Sequence, residues 1–210
     1  MDIKCLLWEK ALQEGLDANA LQLPEGAIDP GKIHVMMINE AAPKNPDDWF
    51  YSAADDPENR RTALGLFNMV GISAQSMQEV LNKGIYITAA LKTPKTGYTA
   101  DPAVMREQLS LLEAEIGLFP KLKLIMLMGD VAAKMINMIV KAQTKKSACP
   151  SGAAGRRRHW NNEAFYWGGV RIFPSYIMTG KNLMIEPFKR DIIVQDLRRM
   201  SEMLPDCAPR

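Results

Sequence analysis

The sequence predicts an α/β protein, a three-layer α/β/α sandwich built on a central, mainly parallel four-stranded sheet. Four short apolar runs, at 33–38 (IHVMMI), 85–90 (IYITAA), 122–128 (LKLIMLM) and 170–176 (VRIFPSY), are each bounded by turn chemistry. They show little strict alternation between apolar and polar residues, as parallel strands covered on both faces do. Helical periods lie between the runs, and right-handed crossovers would place those helices on both faces of one sheet.

The elements follow in order. The N-terminal segment MDIKCLLWEKALQEG has charges on both sides of a very short apolar patch and no small-residue cleavage site. It predicts an amphipathic helix over about 3–18 rather than a signal peptide. Between Leu64 and Leu81 lie one or two shorter helices, interrupted at Gly71. Asp101-Pro102 is a helix start, with Asp as cap and Pro in the first turn. Met105, Leu109, Leu112 and Ile116 then form a single stripe that Gly117 closes. Gly129-Asp130 opens another helix with Val131, Met135, Met138 and Ile139 on one face, and Ile193, Leu197, Met200 and Leu204 repeat the spacing near the end. With no linker, internal repeat or low-complexity tract, one domain is expected over 1–210, its core at about 32–204.

Composition bounds the function. The 210 residues are 47% hydrophobic and 24% charged, and a chain of this length buries about 70% of its unfolded surface without help from disulfides or metals. Mean hydropathy is −0.15, and no stretch approaches the ~20 apolar residues of a membrane span. Cys5, Cys149 and Cys207 are scattered and odd in number, without a CxxC, and the histidines are His34 and His159. Reduced thiols in the cytoplasm, no metal and no cofactor are the expectation. The 14 methionines read as fillers of an irregular core, and the protein as a monomer. Although the formal charge is only +2, six basic and no acidic residues occur between Lys141 and Arg158. With Pro150, Gly152 and Gly155 in it, that stretch reads as a partly exposed loop, either solvated or touching phosphate through Arg156, Arg157 and Arg158.

In parallel sheets, ligands bind beyond the carboxyl ends of the strands, which selects the loops at 39–51, 91–98, 129–130 and 177–182. The first holds Glu40 directly after a strand, then Trp49, Phe50 and Tyr51; a carboxylate beside aromatics suits a pocket for a planar ligand, or a satellite of the core. Lys92, Pro94, Lys95 and Gly97 make the second loop stiff and cationic. Gly129 at a strand-to-helix junction reads first as a tight packing turn that lets elements approach closely, and otherwise as a helix start facing an anion. The fourth offers Ser175, Tyr176, Thr179, Gly180, Lys181 and Asn182, whose hydroxyls and N–H groups suit an anion.

In order and spacing these loops resemble the uracil-DNA glycosylase superfamily, closest to the microbial branch related to the iron–sulfur uracil-DNA glycosylases. Ile38-Asn39-Glu40-Ala41-Ala42-Pro43 stands where that branch has a Gly-Glu-Ala-Pro-Gly-like turn, and Trp49-Phe50-Tyr51 is similar to its Pro-Phe stacking segment. Ile87-Thr88-Ala89-Ala90-Leu91-Lys92-Thr93-Pro94 is similar to the family's Ile-Thr-Asn-x-x-Lys-Cys-Pro, and Met128-Gly129-Asp130-Val131-Ala132 to its Leu-Gly-x-x-Ala turn. Pro174-Ser175-Tyr176-Ile177-Met178 lies at its Pro-Thr-x-His-Pro motif. The likeness runs from about Ile33 to Leu204. The family's base-reading Asn falls at Ala89 and its His at Ile177, and three scattered cysteines cannot supply the branch's four-cysteine cluster.

The resemblance implies a DNA glycosylase that hydrolyses the N-glycosidic bond of a flipped uracil or other deaminated or damaged base. Glu40 would be its catalytic carboxylate. Phe50, Tyr51, Thr88, Ala89 and Ile177 would surround the base, while Lys92, Pro94, Lys95, Arg156, Arg157, Arg158, Thr179 and Lys181 would meet the DNA. The other readings are a non-catalytic nucleic-acid-binding relative, a hydrolase of a free nucleoside or nucleotide, and an α/β protein whose site has decayed into packing.

Overall fold

The computed structural model describes residues 1–97, 99–179 and 186–204. Strands β1 (Val35–Ala42), β2 (Ile85–Pro94), β3 (Leu124–Met128), β4 (Phe165–Trp167) and β5 (Val170–Ser175) form one sheet in the order β2-β1-β3-β5-β4. The pairs β1–β2, β1–β3 and β3–β5 are parallel. Every residue of β3 is buried, which explains its unalternating LIMLM: both faces are covered.

All four expected strands form, but the sheet has five. The extra one, β4, is an antiparallel partner of β5 across Gly168 and Gly169, both at positive φ. A two-residue Gly-Gly loop between β-prone runs is a hairpin signal, and FYW-GG-VRIF carries it.

The α-helices among the described residues are α1 (Ile3–Gln13), α2 (Glu58–Met69), α3 (Met77–Asn82), α4 (Pro102–Glu107), α5 (Leu109–Gly117), α6 (Asp130–Thr144), α7 (Gly152–Trp160) and α8 (Pro187–Ser201). Two apolar layers sandwich the sheet. One joins Met36, Ile38, Tyr86, Ile125 and Leu127 to α1, α5 and α6. The other joins Val35, Met37, Ile87, Met126 and Phe173 to α2, α3 and α8. Alternate residues of each strand thus enter opposite layers, as the strand's period of two requires. None of these helices is long and apolar enough to cross a membrane. Met36, Met37, Met126, Met128, Met135 and Met200 are wholly buried, filling the core as expected of this side chain.

Three elements differ from expectation. Helix α1 stops at Gln13, short of residue 18, because the chain turns at Gly15 and Leu16 N–H closes back on Ala11 O at 2.9 Å. The helix expected from Asp101 to Gly117 breaks at Gln108. There the side chain leaves the helical pattern to hold β2: its Oε1 accepts from Lys92 N at 2.6 Å, and its Nε2 donates to Thr93 Oγ1 at 2.9 Å. The arginines at 156–158 lie on helix α7 instead of an exposed loop. Buried His159 on that helix anchors it to Asp196 of α8.

Candidate active site

The carboxyl ends of β1 and β3 meet the start of α6, and Glu40 sits at that junction. Its Oε1 accepts from the backbone N–H groups of Asp130 at 2.7 Å and Val131 at 3.2 Å. These are donors that a helix start cannot satisfy within itself, and their dipoles favour an anion. The helix has no side-chain cap of its own. A residue ninety positions away therefore occupies the anion seat beside Gly129. The other oxygen, Oε2, is ion-paired with Lys95. The seat exists because the residue preceding α6 is a glycine: Gly129 has φ +109°, and a Cβ there would collide with the Glu40 side chain. The ladder between β1 and β2 shifts register between Ala41 and Ala42, directly after this carboxylate, and such irregularities re-aim side chains beside sites.

Glu40 lies in the wall of a cleft of about 400 Å³ that Lys95, Lys134, Arg156, Tyr176 and Lys189 also line. A side lobe of about 200 Å³ adjoins it, sharing Glu40, Lys95 and Ile177 and adding Asn39, Lys44 and Thr179. On the other side a depression of about 320 Å³ shares Lys134 and Met105 with the cleft and adds Arg106 and Lys141. The three adjoin through these shared residues, from the carboxyl ends of the strands to the flank of α6 beside α4. Among the described residues the lining carboxylates are Glu40 and Asp130, both paired with cations, since Arg156 Nη1 reaches Asp130 Oδ1 at 2.5 Å.

Among the described residues, the aromatic side chain lining the cleft is Tyr176. The Arg156 guanidinium lies 4.6 Å and Lys189 Nζ 5.3 Å from its ring centroid, within cation–π range. Beneath this wall Asp196 ties three elements together: Ser175 Oγ donates to Oδ2 at 2.7 Å, and His159 Nε2 lies 2.9 Å from Oδ1. Those elements, β5, α7 and α8, carry Tyr176, Arg156 and Lys189 to the cleft.

The expected site residues separate accordingly. Glu40, Lys95, Arg156, Ile177 and Thr179 come together in the cleft and its side lobe. Phe50, Tyr51, Thr88, Ala89 and Lys92 do not line it. Phe50 is wholly buried in the core with Trp49 edge-on at 5.4 Å, so it offers no face to a ligand here. Tyr51 donates to Ile87 O at 2.8 Å, and burial holds its phenol above the ordinary pKa. Ala89 is wholly buried on β2.

Lys92 is the sharpest correction to the DNA contacts. Its side chain is fully buried and donates to Glu115 Oε2 at 2.6 Å, Thr88 Oγ1 at 2.6 Å and Ala89 O at 2.7 Å. Thr88 and Tyr86 donate to the other oxygen of Glu115 at 2.8 and 2.6 Å. This is a closed network between β2 and α5. Desolvation lowers the Lys92 pKa while Glu115 works to raise it. Neither Lys92 nor Thr88 can meet a ligand from this position.

Pro94 ends β2 opposite Ala42. Arg157 is exposed, and Arg158 is turned away to a two-pronged pair with Glu163, so of the three arginines Arg156 alone lines the cleft. Lys181 lies outside the described residues.

Sequence reasoning missed Lys134, Lys189 and Asn39 as lining groups. Lys134 is one helical turn beyond Asp130, a spacing readable once α6 is known to start at the cleft. Lys189 follows the Pro187 that opens α8. No three His, Cys, Asp or Glu side chains among the described residues are grouped to hold a metal. No family model and no curated protein matches the chain.

Proposed function

We propose that the cleft receives a nucleic-acid strand and that Glu40 acts on the N-glycosidic bond of a base turned out of it. One observation carries the reading: a carboxylate anchored by two backbone N–H groups lies in the wall of a cleft that Lys95, Lys134, Arg156 and Lys189 also line. Cleavage of that bond develops positive charge on the sugar, and a fixed negative group opposite it lowers the barrier without reorganising. Glu40 would also orient the water that adds to the sugar carbon as the base leaves with the bonding electrons. Ile177, at the position of the family's His, has no proton to give. Lys95, which lines both lobes, is the cation in place to stabilise the departing base anion, which then takes its proton from water.

The continuity of the three adjoining hollows from Lys44 to Lys141 supports a polymer over a free nucleotide, because it offers cations to several successive phosphates. A DNA strand as partner, a monomeric enzyme and a cytoplasmic setting belong to this reading.

A second reading, a nucleic-acid-binding protein without turnover, is favoured by one observation: both oxygens of Glu40 already have partners. The deciding experiment is base release from single- and double-stranded oligonucleotides carrying uracil, hypoxanthine, xanthine or hydroxymethyluracil, with abasic sites revealed by alkali. Strand breaks by the wild type, reduced about 10²–10³-fold in Glu40→Gln, are the expected result. Absence of breaks together with salt-dependent binding would establish the second reading.

A further inference from the structure

The side lobe contains a polar atom with no partner. Asn39 is 3% exposed and lines that lobe. Its Nδ2 donates to Thr179 Oγ1 at 3.4 Å, while its Oδ1 is buried without a hydrogen-bond partner among the described residues. Buried side-chain acceptors are nearly always paired, so an orphan one calls for an explanation.

The sheet cannot supply the partner. In register, Asn39 faces Ala89 on β2 and Met128 on β3, and neither side chain has a donor. With Nδ2 placed on Thr179 Oγ1, the amide atom left without a partner is the carbonyl oxygen. Lys95 and Lys44 line the same lobe, and their ammonium groups suit a carbonyl oxygen and oppose an exocyclic amine.

We infer that Asn39 reads the edge of the base: Oδ1 accepts an N–H of the ligand, and the adjacent ammonium groups take its carbonyl. The substrate class is then a nucleobase with neighbouring N–H and C=O groups, a lactam or imide edge such as that of uracil or hypoxanthine. A base presenting a ring-nitrogen lone pair at that point sets acceptor against acceptor and is rejected. Asn39 is the β1 residue directly across from Ala89. The inference rests on the proposal that the cleft receives a base, but it does not require turnover.

The test is binding of single strands of roughly 12 nucleotides, the scale of one such groove, each with one central 2′-fluoro nucleoside to suppress cleavage. That nucleoside bears uracil, 3-methyluracil or cytosine. The wild type should bind the uracil strand about tenfold or more tighter than the other two. In Asn39→Ala the three affinities should converge on the weakest, with a melting temperature close to that of the wild type. Equal affinities in the wild type, or a uracil preference retained by Asn39→Ala, would overturn the assignment. No binding of any strand would remove the nucleic-acid reading and this inference together. N–H discrimination without base release in the companion assay would remove catalysis alone and leave Asn39 as the reader.

Discussion

Glu40 and Gly129 occupy one another's space: a Cβ on Gly129 would lie 2.5 Å from Glu40 Oε1 and 2.6 Å from its Cγ. The carboxylate from β1 therefore reaches the start of α6 only across a residue without a side chain. Gly129→Ala should expel Glu40 from the two N–H groups and strain a backbone held at φ +109°, at a cost of about 1–3 kcal/mol. The expected outcome is a lowered denaturation midpoint together with loss of base release. A variant that keeps both would show that the junction can relax around the methyl group.

The Lys92–Glu115 pair makes a prediction with opposite outcomes for single and double substitution. Lys92→Met leaves the Glu115 carboxylate buried beside two hydroxyls and no cation, and should destabilise by about 3–5 kcal/mol. Replacing the pair together, Lys92→Met with Glu115→Leu, should recover much of that loss, since apolar groups of similar volume need no compensating charge. Urea unfolding of the three proteins measures it. DNA affinity of the folded double variant should match the wild type, because neither side chain reaches the cleft.

The basic run on α7 separates by helical position. Arg156 faces the cleft over Tyr176, whereas Arg158 is exposed and paired with Glu163. Arg156→Ala should weaken single-strand binding and reduce the slope of log affinity against log salt by about one. Arg158→Ala should alter neither measurably. Equal effects of both would mean that the strand follows the outer face of α7.

Alkaline pH should destabilise the fold through Cys149. Burial raises its thiol pKa from 9.0 to about 11, so between those values the folded state holds a proton that the unfolded state has released. The stabilisation is complete below pH 9 and is lost as pH rises through about 11. Tyr86, raised by burial and by Glu115, works in the same direction at higher pH. Lys92 works in the opposite one, because its pKa is lowered. The readout is therefore the difference between wild type and Cys149→Ala in unfolding free energy, which should narrow as pH rises from 8 to 11.

By itself the sequence determined the order of the four parallel strands and of most helices between them, though not β4 or α7, because apolar periodicity and caps such as Asp101-Pro102 are local signals. It also placed Glu40 and Gly129 at strand ends, where a parallel sheet gathers its ligands. It could not say that Lys92 is interior. That depends on Glu115, 23 residues later, lying on α5 against the same face of β2, and on Thr88 sharing that face by the strand's period of two. Nor could it say that Phe50 turns inward while Tyr176 meets the cleft, since an aromatic serves equally well for packing or for display. Only the tertiary structure decided which side chains converge. Convergence is set by register and by the helix that covers each face: Asn39 against Ala89, α6 over Glu40, and α7 bound to α8 through His159 and Asp196.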